Sequence, residues 1–446
     1  MTSDDPRRRN PADDDFRTPP LSGLIIYQAK LDPTADEDSR AAILDHIAGL
    51  GVTAVELIPC SKPVVANGQY VPAHISLERA FGGAAALRQV VIEAHRRGLA
   101  VILDVAYPLR ETVIATASDI DSGDVRAYIV REALRWLRDT HVDGLRHDMA
   151  PYTDLVDASG LDPSAGWQLI REMNRAIRDE YSDVVLIALD AHGYPQVTSL
   201  DDSGALFHAQ WDILFVHPIR EAINGLQPMA DVRDAIGSSF GDTFSRVIYT
   251  EADELTGRDA DKTVDPKDWE SAKRVTLGIG LVLTSPGIPM LLQGQEVLQG
   301  GTICERSWRE TVEQPGIADL VRQLVRLRRN WYDTTRGLSG HGLDVFVCDE
   351  ESKVVAWRRW ADGGPGDDVV IVANFSPTAY PAYRLGMPDD GLWRVRFSSD
   401  DTSYSAMFSG HPTPDVEAKP WPKDGQPASA DVSVGPFSLV VYSQDR

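Results

Sequence analysis

The sequence predicts an α/β fold, a (β/α)8 TIM barrel followed by a small C-terminal antiparallel β domain. Over about 310 residues, short apolar runs alternate with amphipathic helical stretches, which is the pattern of parallel β/α units. After about residue 335 this helical period gives way to short segments of alternating polarity, as in 354–357 and 369–373. We therefore expect the barrel to span 21–334 and a β-sandwich domain to span 335–446.

Eight apolar runs are the predicted barrel strands, at 24–27, 52–58, 99–104, 142–148, 184–190, 209–215, 246–250 and 289–292. Between them, apolar residues recur at helical spacing, as in 41–50 and 87–94. A glycine follows each of these two helices, Gly51 and Gly98, because glycine readily adopts the left-handed conformation that ends a helix. The alternation of strand and helix therefore carries through the whole barrel.

Composition and charge exclude several classes of protein. Apolar residues make up 43% of the 446 residues and charged residues 25%, as in ordinary globular proteins. With 44 basic and 67 acidic side chains the formal net charge is −23, so the average surface repels phosphate backbones and anionic lipids. We therefore expect neither a nucleic-acid nor a membrane partner. Residues 1–20 have almost no apolar side chains and are predicted to form a flexible tail.

The remaining global signals concern location and cysteine chemistry. No apolar run reaches the ~18 residues that a membrane-spanning helix needs, and the basic run 7–9 is followed by polar residues rather than by an apolar signal core. We therefore expect a cytoplasmic protein. The cysteines Cys60, Cys304 and Cys348 are far apart and match neither a disulfide framework nor a metal-binding pair. We predict no metal site and no cofactor.

Polar residues at the carboxyl ends of the predicted strands are the candidates for function, because barrels of this kind place catalytic groups there. They are Asp104 and Tyr107 after strand three, Arg146, His147 and Asp148 on strand four, Asp190 and His192 after strand five, and Asp253 and Glu254 after strand seven. Several carboxylates at one barrel mouth suit cleavage of a glycosidic bond, in which one protonates the leaving oxygen and another attacks or stabilises the sugar centre. In so acidic a chain, the cluster alone also fits coincidence.

Five sequence segments make this pattern more specific, namely GVTAVELIP at 51–59, RGLAVILDV at 97–105, HVDGLRHD at 141–148, VIYTE at 247–251 and PGIPMLLQGQE at 286–296. In their residues and their order along the chain they resemble glycoside hydrolase family 13, the α-amylase family, and within it the branching enzymes and maltooligosyl-trehalose trehalohydrolases. The resemblance covers about residues 22–446. It implies a retaining enzyme acting on an α-glucoside or a related carbohydrate.

Carried over residue by residue, the resemblance implies that Asp148 is the nucleophile and that Arg146 is the arginine beside it. It also implies that Asp104 lies close to the substrate. His147 and His192 are candidate substrate-binding residues because imidazole titrates near neutrality, and the alternative for each is a hydrogen-bonded histidine in a loop.

The chain departs from the family pattern in its acid and its histidines. Where the family has the glutamate that acts as general acid, the gap-free alignment gives Leu189, and Asp190 follows it. Adjacent strand residues point to opposite faces, so Asp190 replaces the acid only if a bulge or an early strand end turns it into the mouth. After strand seven the family's histidine is missing, and either Asp253 or Glu254 takes the position of the transition-state stabiliser.

These departures leave three functional hypotheses open, since the fold cannot choose among them. The first is an active retaining hydrolase or transglycosylase with Asp148 as nucleophile and Asp190 as replacement acid. The second is a degenerate relative that binds a carbohydrate or a partner protein without cleaving it. The third is altered chemistry on a small glycoside whose leaving group needs no strong acid. We favour an active enzyme because the Arg146 and Asp148 pair has no evident packing purpose.

We predict that prolonged chelation leaves the melting temperature of the protein unchanged. Pro108 stands where the family has an asparagine that is a common calcium ligand, and the loop at 108–123 is much shorter than the domain that the family often carries there. The measurement is thermal unfolding before and after dialysis against a chelator. A drop in melting temperature that added calcium restores would contradict this prediction.

Overall fold

The computed structural model describes residues 16–30, 36–58, 65–66, 69–70, 83–105, 123–149, 163–201, 203–252, 268–300 and 315–446. Within these ranges, eight parallel strands form a closed barrel: β1 (Ile26–Lys30), β2 (Ala54–Ile58), β3 (Ala100–Val105), β4 (Gly144–Asp148), β5 (Val185–Leu189), β6 (Ala209–Trp211), β7 (Arg246–Ile248) and β8 (Ile288–Leu292). Each strand pairs with the next along the chain, and β1 also pairs with β8, so that Ile26 lies opposite both Ala54 and Met290. The predicted fold class is confirmed.

Helices follow most of the strands and cover the outside of the barrel. The described helices are α1 (Glu37–Leu50), α2 (Ala84–His95), α3 (Gly123–Thr140), α4 (Pro163–Glu180), α5 (Ile213–Ile223), α6 (Met229–Gly237), α7 (Trp269–Thr284) and α8 (Pro315–Arg328). In α1 the carboxylate of Asp36 accepts the N–H of Ser39 at the N-terminus, and Gly51 ends the helix with φ of 85°. Within the described ranges, no helix is both long enough and apolar enough to cross a membrane.

Strand six is shorter than the sequence pattern predicts. The apolar run 209–215 was predicted to be one strand, but β6 ends at Trp211 and α5 begins two residues later. The carboxylate of Asp212 accepts the backbone N–H groups of Leu214 and Phe215, at 2.9 and 3.1 Å, and so caps the new helix. Apolar periodicity alone cannot separate a buried strand from the first turn of a buried helix, and this capping interaction decides it.

The C-terminal part is antiparallel. Its strands are β9 (Gly342–Asp349), β10 (Val354–Trp360), β11 (Val369–Asn374), β12 (Tyr380–Met387), β13 (Gly391–Ser398), β14 (Val416–Ala418), β15 (Ala428–Val434) and β16 (Ser438–Ser443). Six of them form a sheet in the order β9-β10-β11-β16-β13-β14, and β12 pairs with β15. Ala356 faces the β12–β15 pair, whereas its neighbour Trp357 belongs to the core shared with the barrel. Elsewhere, the two-residue strands Val65–Ala66 and Gln69–Tyr70 pair with each other.

Part of the predicted flexible tail makes specific contacts with the barrel. The tail was predicted to reach residue 20, but Phe16 stacks on His95 with ring centroids 4.1 Å apart, and the hydroxyl of Thr18 donates to Asp143. Asp143 is buried at the amino-terminal end of β4 and also contacts Nε2 of His95 at 2.8 Å. Phe16 and Thr18 therefore cover part of the lower face of the barrel, because their ring and hydroxyl find specific partners there.

A buried ion pair joins the barrel to the β domain. Nζ of Lys273, on α7, lies 2.7 Å from Oδ1 of Asp400, and both side chains are fully buried. Burial alone would raise the pKa of Asp400, but the Lys273 ammonium and hydrogen bonds from Ser409 and His411 outweigh it and hold this pKa below its ordinary value. The pair therefore fixes α7 against the loop that follows β13.

We predict that Lys273→Met lowers the free energy of unfolding by about 3–5 kcal/mol, because it leaves the carboxylate of Asp400 buried without its cation. Urea unfolding followed by circular dichroism measures this change. The matched control is Lys353→Met, which removes an exposed lysine paired with Glu350 and should cost less than about 1 kcal/mol. Equal losses in the two variants would contradict the prediction.

Candidate functional site

Successive residues of a strand point alternately into the barrel and out towards the helices, and this alternation decides which side chains lie inside. On β5, Ile187 belongs to the interior cluster, and Ala188 beside it belongs to the core beneath the helices. On β4 the same alternation places Arg146 and Asp148 on the interior side and His147 on the outer side. The arginine and the predicted nucleophile therefore share one face, with Asp148 at the carboxyl end of the strand.

Arg146 is held by two carboxylates and one aromatic ring. Its Nη2 donates to Oδ2 of Asp104 at 2.7 Å, and its Nε lies 3.5 Å from Oε1 of Glu56. Its guanidinium carbon lies 4.7 Å from the ring centre of Trp211. Only 2% of the Arg146 side chain is exposed. The structure thus brings together the predicted residues Asp104, Arg146 and Asp148 in the upper interior of the barrel.

Glu56 and Gln28 complete this cluster from the neighbouring strands. The Gln28 amide donates to Oε1 of Glu56 at 2.9 Å, and neither side chain is exposed. Sequence reasoning did not single out these two residues, although a signal was present. Both occupy inward positions of strands that are otherwise apolar, and polar residues at such positions are buried only when they have partners.

Leu189 is the interior residue at the end of β5. It lies opposite Asp148 in the register of the two strands, and its carbonyl accepts the N–H of Met149 at 2.9 Å. The side chain is half-buried and packs on the interior cluster. The position that the alignment assigns to the general acid is therefore occupied by a leucine on the same side of the barrel as Asp148.

Asp190 is hydrogen-bonded within the loop after β5 and is 1% exposed. Its carboxylate accepts the backbone N–H groups of His192 and Tyr194, at 3.2 and 2.8 Å. The predicted role of Asp190 as replacement acid needs a bulge or an early strand end that turns the side chain into the mouth. In the structure β5 pairs regularly with β4 and ends at Leu189, directly before Asp190. The role of Asp190 as an acid stays a prediction.

His147 does not face the site, and the substrate-binding role predicted for it is corrected by the structure. The side chain is fully buried on the outer side of β4, with its ring centre 5.8 Å from that of Phe207. Burial, and after it the charge of Arg146, lowers the pKa of His147 to about 3. The residue is therefore a neutral core histidine at physiological pH.

The other predicted site residues divide into two groups. His192 lies on the rim of the mouth, where its ring stacks on Tyr194, a residue that sequence reasoning missed. Tyr107, Asp253 and Glu254 lie outside the described residues, as do Cys60, Cys304 and nearly all of the segment 108–123 that was predicted to be a shortened loop. In the part of the chain that the structure describes, no three His, Cys, Asp or Glu side chains form a group that could hold a metal ion.

Comparison with known proteins gives matches for both parts of the chain. Residues 346–445 match the family model of the α-amylase C-terminal all-β domain. The chain is 25% identical to a 1,4-alpha-glucan branching enzyme of Burkholderia thailandensis over 94% of its own length and 58% of that protein. It is 25% identical to the same enzyme of Cupriavidus pinatubonensis, over 90% of this chain and 60% of the relative. It thus spans about three fifths of these relatives.

Solved structures show the same fold. An Anoxybacillus α-amylase superposes with a TM-score of 0.67 at 15% identity and covers 96% of this chain and 99% of its own. The α-amylase of Geobacillus thermoleovorans, complexed with acarbose, superposes with a TM-score of 0.63 at 17% identity, over 95% of this chain and 98% of its own.

The closed barrel, the arginine and carboxylate cluster at its mouth and the all-β domain behind it define an α-amylase-type barrel protein. The chain is thus similar to the α-amylase family in the fold of both its parts and to branching enzymes in sequence.

We predict that His147 makes the protein less stable in mild acid. Below pH ~6.5 the unfolded chain binds a proton at this histidine, and the folded chain, with its pKa of about 3, does not. The contribution of His147 to the free energy of unfolding is therefore complete above pH ~6.5 and is lost as the pH falls towards 3. Between pH 6.5 and 5 this loss is about 2 kcal/mol. Urea unfolding at several pH values measures the slope.

His147→Gln should flatten this pH dependence by that amount. The control is His341→Gln, because that side chain is 67% exposed, and its slope should equal that of the wild type. A His147→Gln slope equal to the wild-type slope would mean that the histidine titrates normally in the folded protein.

Proposed function

We propose that the protein acts on α-glucosides as a retaining transglycosylase or hydrolase with Asp148 as its nucleophile and with altered acid machinery. The observation that carries the proposal is the placement of Asp148 on the interior side of β4, two residues beyond an arginine that Glu56 and Asp104 hold in place. The branching-enzyme names of the sequence relatives support glucosyl transfer as the reaction class.

The chemistry of Asp148 is a double displacement. A carboxylate oxygen attacks the anomeric carbon, the bond from that carbon to the leaving oxygen breaks, and a covalent glycosyl-enzyme forms. Water or the hydroxyl of an acceptor sugar then attacks the same carbon, loses its proton and releases the aspartate.

The first step is limited by the leaving group. With Leu189 where a general acid would stand, the leaving oxygen must depart as an anion or take its proton from solvent. A general acid contributes about 10²- to 10⁴-fold to such steps. Without a general acid, the rate of this step therefore falls least for substrates whose leaving group forms a stable anion, and it falls most for natural glucans.

The remaining roles are part of the same proposal. Asp104 contacts the sugar from β3 while it binds Arg146. Asp253 or Glu254 stabilises the positively charged transition state, and Tyr107 binds the substrate. Carbohydrate is the partner, without nucleic acid or membrane, and the reaction proceeds in the cytoplasm.

A second function is favoured by one specific observation. Leu189 faces the interior and the carboxylate of Asp190 is bound to loop N–H groups, which supports an arrangement with an apolar side chain in place of the usual acid. A barrel of this kind can bind a carbohydrate without cleaving it. The two functions differ in whether Asp148 forms a bond to sugar.

We predict that the wild-type protein turns over α-glucosyl fluoride, which needs no acid, and converts maltoheptaose poorly. Asp148→Asn should lower kcat/KM for the fluoride by at least about 10³-fold, because an amide oxygen is a poor nucleophile. Leu189→Glu should raise kcat/KM for maltoheptaose by about 10²-fold or more, because it supplies a carboxylic acid opposite Asp148. Steady-state kinetics on both substrates measure these changes.

Two control variants keep the comparison matched. Asp242→Asn removes an aspartate that is 53% exposed, and Leu226→Glu adds a carboxylate at a leucine that is 69% exposed. Both should behave as the wild type. Efficient conversion of maltoheptaose by the wild type would show that another acid works. Absence of turnover on both substrates, with sugar still bound, would favour the non-catalytic function.

A further inference from the structure

Three buried arginines lie close together where the lower end of the barrel meets the β domain. They are Arg246 at the start of β7, Arg328 at the end of α8 and Arg359 on β10. Arg328 donates to the carbonyls of Ser285 and Gly287, and Cγ of Arg246 would lie 3.2 Å from a side chain at position 287. Arg359 donates to the carbonyl of Thr284. The three side chains therefore surround one short segment, 284–287, between α7 and β8.

The positive charge of this cluster exceeds the negative charge around it. Arg246 is paired with Asp212, whose Oδ2 lies 2.7 Å from its Nε. Arg328 and Arg359 donate to backbone carbonyls instead, and no carboxylate of the described residues forms an ion pair with either of them. The C-terminal ends of α7 and α8 supply about half a negative charge each. About one positive charge therefore remains without compensation.

Hydrogen-bond donors are also in excess at this junction. Nε of Arg328, the hydroxyl of Ser285 and the indole N–H of Trp357 are all buried, and none of them has a hydrogen-bond partner among the described residues. Trp357 lies on the same face of β10 as Arg359, two residues away. Buried donors are nearly always paired in native proteins, so three of them together indicate an acceptor. An acceptor that also offsets a positive charge is an anion.

The pKa values of the two unpaired arginines agree with this charge balance. Burial lowers the pKa of Arg328 to about 9. Burial, and after it the charges of Arg328 and Arg246, lower the pKa of Arg359. A negative ion beside the guanidiniums opposes these shifts, because it attracts the protonated form of each.

We propose that a chloride ion binds between Arg328 and Arg359 and accepts hydrogen bonds from Nε of Arg328 and from the hydroxyl of Ser285. A monovalent ion matches the one uncompensated charge, and it gives up its water at a lower cost than sulfate or phosphate would. The ion joins α7 and α8 to the β domain. It takes no part in the reaction, so this inference goes beyond the proposed function.

The test compares thermal unfolding of the full chain in sodium chloride and in sodium gluconate at equal ionic strength, because gluconate is too large for a buried site. Chloride should raise the melting temperature by about 3 °C or more, and the rise should saturate, since a ligand of the folded state alone stabilises it. Ser285→Ala should reduce this rise by about half or more, because it removes one donor to the ion. In gluconate its melting temperature should equal that of the wild type, because the hydroxyl has no partner to lose.

The matched control is Ser438→Ala, which removes a buried hydroxyl that donates to the carbonyl of Gly435 at 2.7 Å. It should lower the melting temperature in both salts and keep the full rise with chloride. Equal melting temperatures of the wild type in the two salts would overturn the ion site. A rise that Ser285→Ala retains in full, or that Ser438→Ala loses equally, would mean an adventitious ion only and would also overturn it. No sugar enters these measurements, so they are independent of the proposed function.

Discussion

The buried guanidinium of Arg146 is the constraint on which the site depends. A cation inside a barrel is stable only if carboxylates and hydrogen-bond acceptors surround it, since the cost of burying it alone is several kcal/mol. Glu56 and Asp104 meet that need from β2 and β3, and Trp211 covers one face. The register of these strands is therefore tied to one side chain, and Asp148 emerges at the mouth two residues above it.

The alternation of neighbouring residues decides which side chains face the site. His147 lies between two interior residues and is consequently a core residue beneath the helices. In the same way Leu189 faces inward, and the carboxylate of Asp190 is bound to the loop. One residue along a strand changes the face, so neighbouring residues contact different surroundings. In this chain, Asp190 instead gives the rim its shape.

The β domain contributes rigidity to the barrel from behind. Its main sheet shares an apolar core with the barrel helices, and Lys273 and Asp400 form a buried ion pair across the junction. Arg359 of β10 donates to the carbonyl of Thr284 at the end of α7, and also to carbonyls of its own domain. The end of a helix carries unsatisfied carbonyls and a partial negative charge, which a buried arginine neutralises. The helix before β8 is thus held by the second domain.

The sequence by itself determined the class of fold and the identity of the central pair. The eightfold alternation of strand and helix predicts the barrel, and the segment ending in Asp148 predicts which strand carries both Arg146 and Asp148. These features are local, because periodicity and motif spacing lie within short segments of chain.

Only the tertiary structure decided which polar side chains meet. Glu56 and Gln28 come from strands far from Arg146 in sequence, and only barrel closure brings them together. The surroundings of His147 depend on which face of β4 it lies on, and those of Asp190 depend on where β5 ends. In both cases a shift of one residue along the strand would change them. A shift of that size is below what apolar patterns resolve, because hydrogen bonding in the folded loop sets it.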